Sequence, residues 1–138
     1  MKRLPDWEDR LIAFMDRARR RPFQWSVFDC CTFPADAVLA LTGVDPMVDL
    51  RDAYDDARSA LMLINGNGGL EELTDKRLVG AECITSLKGQ RGDIVHLEQQ
   101  GLGARLGVIW GAGVAAPGLR GLITLQRPMA AKTWHIGY

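Results

Sequence analysis

The sequence predicts an α+β fold, with helices first and a small antiparallel sheet after them. Three observations predict it. Apolar residues recur at helical spacing up to about Leu78. From Glu82 onward, short apolar or β-branched runs are separated by Gly and Pro. A run of helices followed by a run of strands is the order of an α+β domain rather than of alternating βα units. The length of 138 residues fits one domain over 1–138, with no internal repeat and no low-complexity linker.

Pro5 to Arg20 reads as the first helix. Pro5 suits the first helical position, and Asp6, Glu8 and Asp9 lie in the positive first turn. Trp7, Leu11, Phe14, Met15 and Ala18 form its apolar face. Arg17, Arg19, Arg20 and Arg21 complement the negative end of the helix dipole. Phe23, Trp25 and Phe28 form an aromatic cluster expected in the core. Thr32 to Leu41 is apolar nearly all round and so reads as a buried helix, ended by Thr42-Gly43 and the Asp45-Pro46 turn. Asp52 to Ile64 reads as a third helix, with Tyr54, Ala57, Leu61 and Ile64 on one face. Asn65 to Gly69 stops it, and Gly69 to Leu78 reads as a short fourth helix. The strands are then Glu82–Leu87, Ile94–Leu97, Leu106–Trp110, Val114–Ala116, Leu122–Leu125 and Thr133–Ile136.

Lys plus Arg and Asp plus Glu both number 17, and the net charge is zero, which gives no reason to expect nucleic acid as a partner. The first residues hold no apolar stretch of signal-peptide type. The run Leu106–Pro117 is too short to span a bilayer, so no membrane insertion is expected. Synthesis and folding in the cytosol follow as the expectation. No cofactor is expected: the Gly-rich stretch at 65–69 lacks the Lys-Ser/Thr of a phosphate loop, and Gly101-Leu102-Gly103 is followed by no helix.

Cys30, Cys31 and Cys83 are the only cysteines. An odd number with no secretory signal argues against a disulfide framework. Adjacent Cα atoms are about 3.8 Å apart, closer than a disulfide prefers. There is no CxxC pair, and His96 and His135 lie far along the chain, so no metal is expected. Asp29-Cys30-Cys31 stands where the buried helix begins, a place where a thiolate gains from the helix end. Asp29 is placed to cap or orient this turn. Cys83 reads as a small core residue, His135 as a surface strand residue, and Asp93 as fixing the start of its strand.

Asp29-Cys30-Cys31-Thr32-Phe33 resembles the Asp-Cys-Ser-Gly-Phe motif of NlpC/P60 cell-wall peptidases. Arg91-Gly92-Asp93-Ile94-Val95 is similar to their Pro-Gly-Asp strand, and Leu106-Gly107-Val108-Ile109 to their His-Val-Gly-Ile strand. Over nearly its full length the chain resembles a family of small phage and prophage proteins, often labelled NlpC/P60-like or phage cell-wall peptidase and encoded among tail-tip genes. The shared features are Ala35-Asp36-Ala37-Val38, the Thr42–Pro46 turn, Gly68-Gly69, Gly92-Asp93 and Leu106 to Val108.

The resemblance implies a papain-like NlpC/P60-type fold with Cys30 at the nucleophile's position. The family's catalytic His lies two residues before the strand Gly, which here is Arg105, and a guanidinium cannot act as a base. Cys31 replaces the usual Ser. One arrangement restores a base. If residues 94–109 form a hairpin turning at Gln100-Gly101, His96 pairs with Arg105 and faces the vacated position. A one-residue slip would change that facing. The candidate catalytic residues are therefore Cys30, His96 and Asp29. The first reading implied is a virion component at the tail tip, made in the host cytoplasm and contacting other tail-tip or hub proteins. The second is an active cysteine peptidase or amidase that cleaves peptidoglycan cross-links during DNA delivery, with backbone N–H groups near Cys30 stabilising the oxyanion.

Overall fold

The structure is a computed structural model and describes residues 1–99 and 103–137. Helix α1 (Trp7–Ala18) carries Glu8 and Asp9 in its first turn and buries Leu11, Phe14, Met15 and Ala18. Helix α2 (Thr32–Thr42) is the most deeply set, with Phe33, Ala37, Val38 and Leu41 fully enclosed. It ends at Gly43, whose φ of 78° lets its N–H reach the Leu39 carbonyl at 2.8 Å. Helix α3 (Ala57–Gly66) begins later than the spacing of its apolar residues predicts. Asp56 accepts the Ser59 N–H at 2.8 Å, and the Asp56 N–H donates to the Ser59 hydroxyl at 3.2 Å, a reciprocal cap that sets the start. Tyr54 is thereby left ahead of the helix, outside any helix or strand, and buried. Helix α4 (Leu70–Arg77) has Glu71 and Glu72 in its first turn and Lys76 and Arg77 in its last.

Six strands follow: β1 (Glu82–Thr85), β2 (Ile94–Gln99), β3 (Gly103–Trp110), β4 (Gly113–Gly118), β5 (Gly121–Leu125) and β6 (Lys132–His135). They form one antiparallel sheet in the order β1-β6-β2-β3-β4-β5. The fold is thus α+β, as expected. The first strand is shorter than expected, because Ser86–Lys88 turn into a single 3₁₀ turn with Ser86 buried. The last strand returns from the far edge to insert between β1 and β2.

One face of the sheet carries Ile94, Leu106, Val108, Ala115 and Trp134, and these pack with Leu11, Phe14, Phe28, Phe33 and Val38 in a single core. Val95, Leu97, Ile109 and Val114 form a second cluster. They alternate with the first set along the strands and so lie on the opposite face. Gly92 leads into β2 with φ 89°, and a Cβ there would come within 2.7 Å of Leu41 Cδ1, so only glycine fits under α2.

The β2–β3 register differs by one residue from the expected hairpin. His96 pairs with Leu106, and Leu97 with Arg105. The expected turn at Gln100-Gly101 and Leu102 lie outside the described residues. The physical reason is burial. The expected register would have turned Arg105 and Gly107 toward the helices and sent Leu106 and Val108 to the far face. The observed one places Leu106 and Val108 beside Ile94 in the helix-side core.

No helix among the described residues is long and apolar enough to cross a membrane.

Candidate functional site

A tight turn delivers Asp29. Gln24 and Phe28 bridge across it, and Ser26 sits in the left-handed region with φ 69°, a strained position for a residue with a side chain. The strain is held from both ends: the Ser26 N–H donates to Asp29 Oδ2 at 2.8 Å, and its hydroxyl donates to the Arg51 carbonyl. Asp29 is completely buried. Its Oδ1 accepts the N–H groups of Cys31 and Thr32, both at 2.8 Å, and its Oδ2 also accepts the Tyr54 hydroxyl at 2.6 Å. Its own N–H donates to the Thr32 hydroxyl at 2.8 Å. Asp29 therefore caps α2, in keeping with the orienting role expected of it. Pro34 falls in the first turn, where its missing N–H leaves no helical bond unmade.

The thiols follow directly. Cys30 and Cys31 are free and half-buried, just ahead of α2. A hydrogen bond with the Cys31 side chain holds the Cys30 thiol below its ordinary range, against burial and the Asp29 charge, with help from backbone hydrogen bonding at Cys30 and Leu106. The same bond pushes Cys31 well above the ordinary range, together with burial and the charges of Cys30 and Asp29. The pair thus titrates as a unit in which Cys30 gives up its proton first and Cys31 keeps one to donate. Burial, and then the bond to Asp29, push the Tyr54 hydroxyl far up, so it remains a donor.

Neither histidine reaches this pair: among the described residues no hydrogen bond joins Cys30 to a histidine. His96 does lie on the helix side of the sheet, opposite Leu106, and its ring packs edge-on against Trp134 with centroids 6.5 Å apart. His135, expected on the surface, is instead half-buried and hydrogen-bonded through Nδ1 to Asp93 at 3.0 Å. It alternates with Trp134 along β6 and so faces away from Cys30. Arg105, the position of the base by motif, pairs with Leu97 on that far face. Cys83, expected in the core, is exposed on the edge strand β1.

Asp93 organises a second polar cluster. It is fully buried and bridges Arg3 at 2.9 Å, with side-chain exposures of 0% and 1%. It also accepts the N–H groups of Gln90 at 2.8 Å and Ile136 at 3.0 Å. Arg3 in turn donates to the carbonyls of Ile136 and Arg91 and stacks over Trp7 at 4.2 Å. Asp93 thus fixes the start of β2, as expected of it. Nothing near the sequence of Asp93 signals Arg3, which lies 90 residues away.

Chemically, Cys30 has nucleophile character, but among the described residues its side-chain partner is a thiol and not a base. Amide cleavage needs a group to protonate the leaving amine and another step to activate water. The N–H groups of Cys31 and Thr32 already bond to Asp29, while backbone hydrogen bonding at the thiol itself comes from Cys30 and Leu106. No group of three or more His, Cys, Asp or Glu side chains among the described residues is placed to hold a metal ion.

Both thiols line a cavity of about 260 Å³ bounded by α2, α3, α4 and the β2–β3 ribbon. Its walls are almost wholly apolar. Trp25, edge-on to Phe23 at 4.8 Å, contributes one side, so this aromatic is a cavity wall more than a core residue. His96 is not among the residues that line it. The cavity drew no expectation from the sequence, because its lining is gathered from residues scattered between Trp25 and Leu106 that share no local spacing.

Compared with known proteins, residues 2–136 match the model of a family described as a domain of unknown function, DUF6950, and the chain belongs to that family. No curated protein and no solved structure matches it.

Proposed function

We propose that this DUF6950 member is a tail-tip component of a phage or prophage particle, built on a degenerate NlpC/P60 peptidase fold and acting through protein–protein contacts. The observation that carries the non-catalytic part is the setting of Cys30. Its thiol is bonded to Cys31, and no histidine is bonded to it among the described residues. A papain-like origin is supported by a cysteine placed just before a buried helix that packs on an antiparallel sheet. The viral setting rests on the ordered motifs from Asp29-Cys30-Cys31 to Leu106-Gly107-Val108. On this reading the chain is made in the host cytoplasm, ends in the virion and contacts other tail-tip or hub proteins.

One observation favours an active cysteine peptidase or amidase acting on peptidoglycan. His96 stands opposite Leu106, whose backbone hydrogen-bonds at Cys30, so the imidazole shares the thiol's side of the sheet. The two readings separate in a particle carrying Cys30→Ala or His96→Ala. The tail-tip reading expects full infectivity from both and co-purification of the protein with particles. Loss of infectivity in Cys30→Ala with normal particle assembly would favour the peptidase. Absence of the protein from purified particles would remove the tail-tip placement.

A further inference from the structure

We propose that the cavity beside Cys30 and Cys31 binds an amphiphile: an aliphatic chain of medium length with one anionic head group held by Arg77. The proposal stands apart from the tail-tip reading. An apolar cavity of about 150 Å³ is enough to hold benzene, and this one is about 260 Å³. Val38, Leu63, Leu73, Leu78, Ile94 and Leu106 supply hydrocarbon walls from helices and sheet alike. The polar hydroxyls on the walls are already engaged: Tyr54 donates to Asp29, and Thr74 donates to the Leu70 carbonyl at 2.7 Å. A ligand with polar groups along its body would therefore lose hydrogen bonds on entering.

Among the described residues, Arg77 is the one lining residue of ordinarily fixed charge. Its guanidinium has five N–H donors in a fork suited to a carboxylate or phosphate. Its present partner is Asp49, whose side chain is 62% exposed. A pair open to solvent in this way is weakly held, so an incoming anion can take Asp49's place. Leu61 lines the cavity and is 58% exposed, which leaves an apolar rim for the chain to cross.

A free fatty acid and a membrane phospholipid both present this chemistry. The test is calorimetric titration of the full chain with decanoate below its micelle concentration, with acetate and 1-decanol as controls and phosphatidylglycerol vesicles as a parallel arm. Decanoate is expected to bind, acetate not to, and decanol to bind about tenfold more weakly, the loss of one charge-assisted contact. Arg77→Ala should bring decanoate down to the level of decanol. Bound decanoate should also slow iodoacetamide alkylation of Cys30. Ala60→Trp fills the cavity and should abolish binding; the half-buried Arg77 site serves if that variant fails to fold. Loss of vesicle binding in Arg77→Ala would assign the chain's source to a lipid, whereas binding of decanoate alone would assign it to a free acid. Failure of the folded wild type to bind either decanoate or vesicles overturns the proposal, and so does equal binding by Arg77→Ala.

Discussion

Asp29 and Asp93 are both fully buried, and each accepts hydrogen bonds at both carboxylate oxygens, but they are compensated differently. The donors to Asp29 are neutral: the N–H groups of Ser26, Cys31 and Thr32 and the Tyr54 hydroxyl. Asp93 has the same kind of backbone donors and, in addition, a buried Arg3 and the His135 imidazole. Arg3 cancels the Asp93 charge at close range. The Asp29 charge is spread over dipoles and is felt by its neighbours, pushing up Cys30, Cys31 and Tyr54. The imidazole that resembles half of a catalytic triad thus sits on the aspartate far from the thiols, while the aspartate next to the thiols has no imidazole. The comparison shows that the buried charge beside the thiols is balanced by neutral donors alone, whereas the one at the start of β2 is balanced by a cation.

The largest expected effect breaks the charged cluster. Asp93→Ala leaves Arg3 buried without its counter-charge and should cost about 3–5 kcal/mol in urea unfolding, a large share of a small domain's stability. Asp29→Ala removes a helix cap and strands the Tyr54 hydroxyl, at about 2–3 kcal/mol by the same measurement. Tyr54→Phe removes one bond to a charged acceptor and should cost about 1–2 kcal/mol. An equal loss for Asp93→Ala and Tyr54→Phe would erase the distinction between the two corners.

A smaller change sharpens it. Asp29→Asn keeps the shape of the corner and removes the charge. Because that charge raises the Cys30 thiol, the onset of Cys30 alkylation should move to lower pH. Asp93→Asn, across the sheet, should leave the onset where it is. A shift to higher pH in Asp29→Asn would show the sign of the interaction to be wrong.

Much of the architecture was readable from patterns. Apolar spacing marked α1, an almost wholly apolar run marked α2, and Gly and Pro separated six runs that all became strands. The parts that were not readable depend on long-range competition. Tyr54 fits a helical stripe, but the Asp56–Ser59 cap starts α3 after it and frees its hydroxyl for Asp29. The hairpin register turned on whether Leu106 or Arg105 would be covered by helices, which a local turn rule does not weigh. Arg3 reads as a charged residue near the start of the chain, yet its partner is supplied only when β2 and the end of β6 meet. Of the candidate residues, Asp29 orients the turn that carries Cys30. His96 lies on the helix side of the sheet through a register different from the one expected, with no hydrogen bond to Cys30 among the described residues.

The central claim is that Cys31, and no histidine, sets the state of Cys30. It is tested most directly by the pH dependence of Cys30 alkylation, read by mass spectrometry on wild type, Cys31→Ala and His96→Ala. The wild-type rate should rise to half its plateau below the usual thiol value of about 8.5, because the Cys31 hydrogen bond favours the thiolate. Cys31→Ala should move that midpoint up, and His96→Ala should leave it in place. A midpoint that rises in His96→Ala and stays put in Cys31→Ala would contradict the account and identify a working thiolate–imidazole pair.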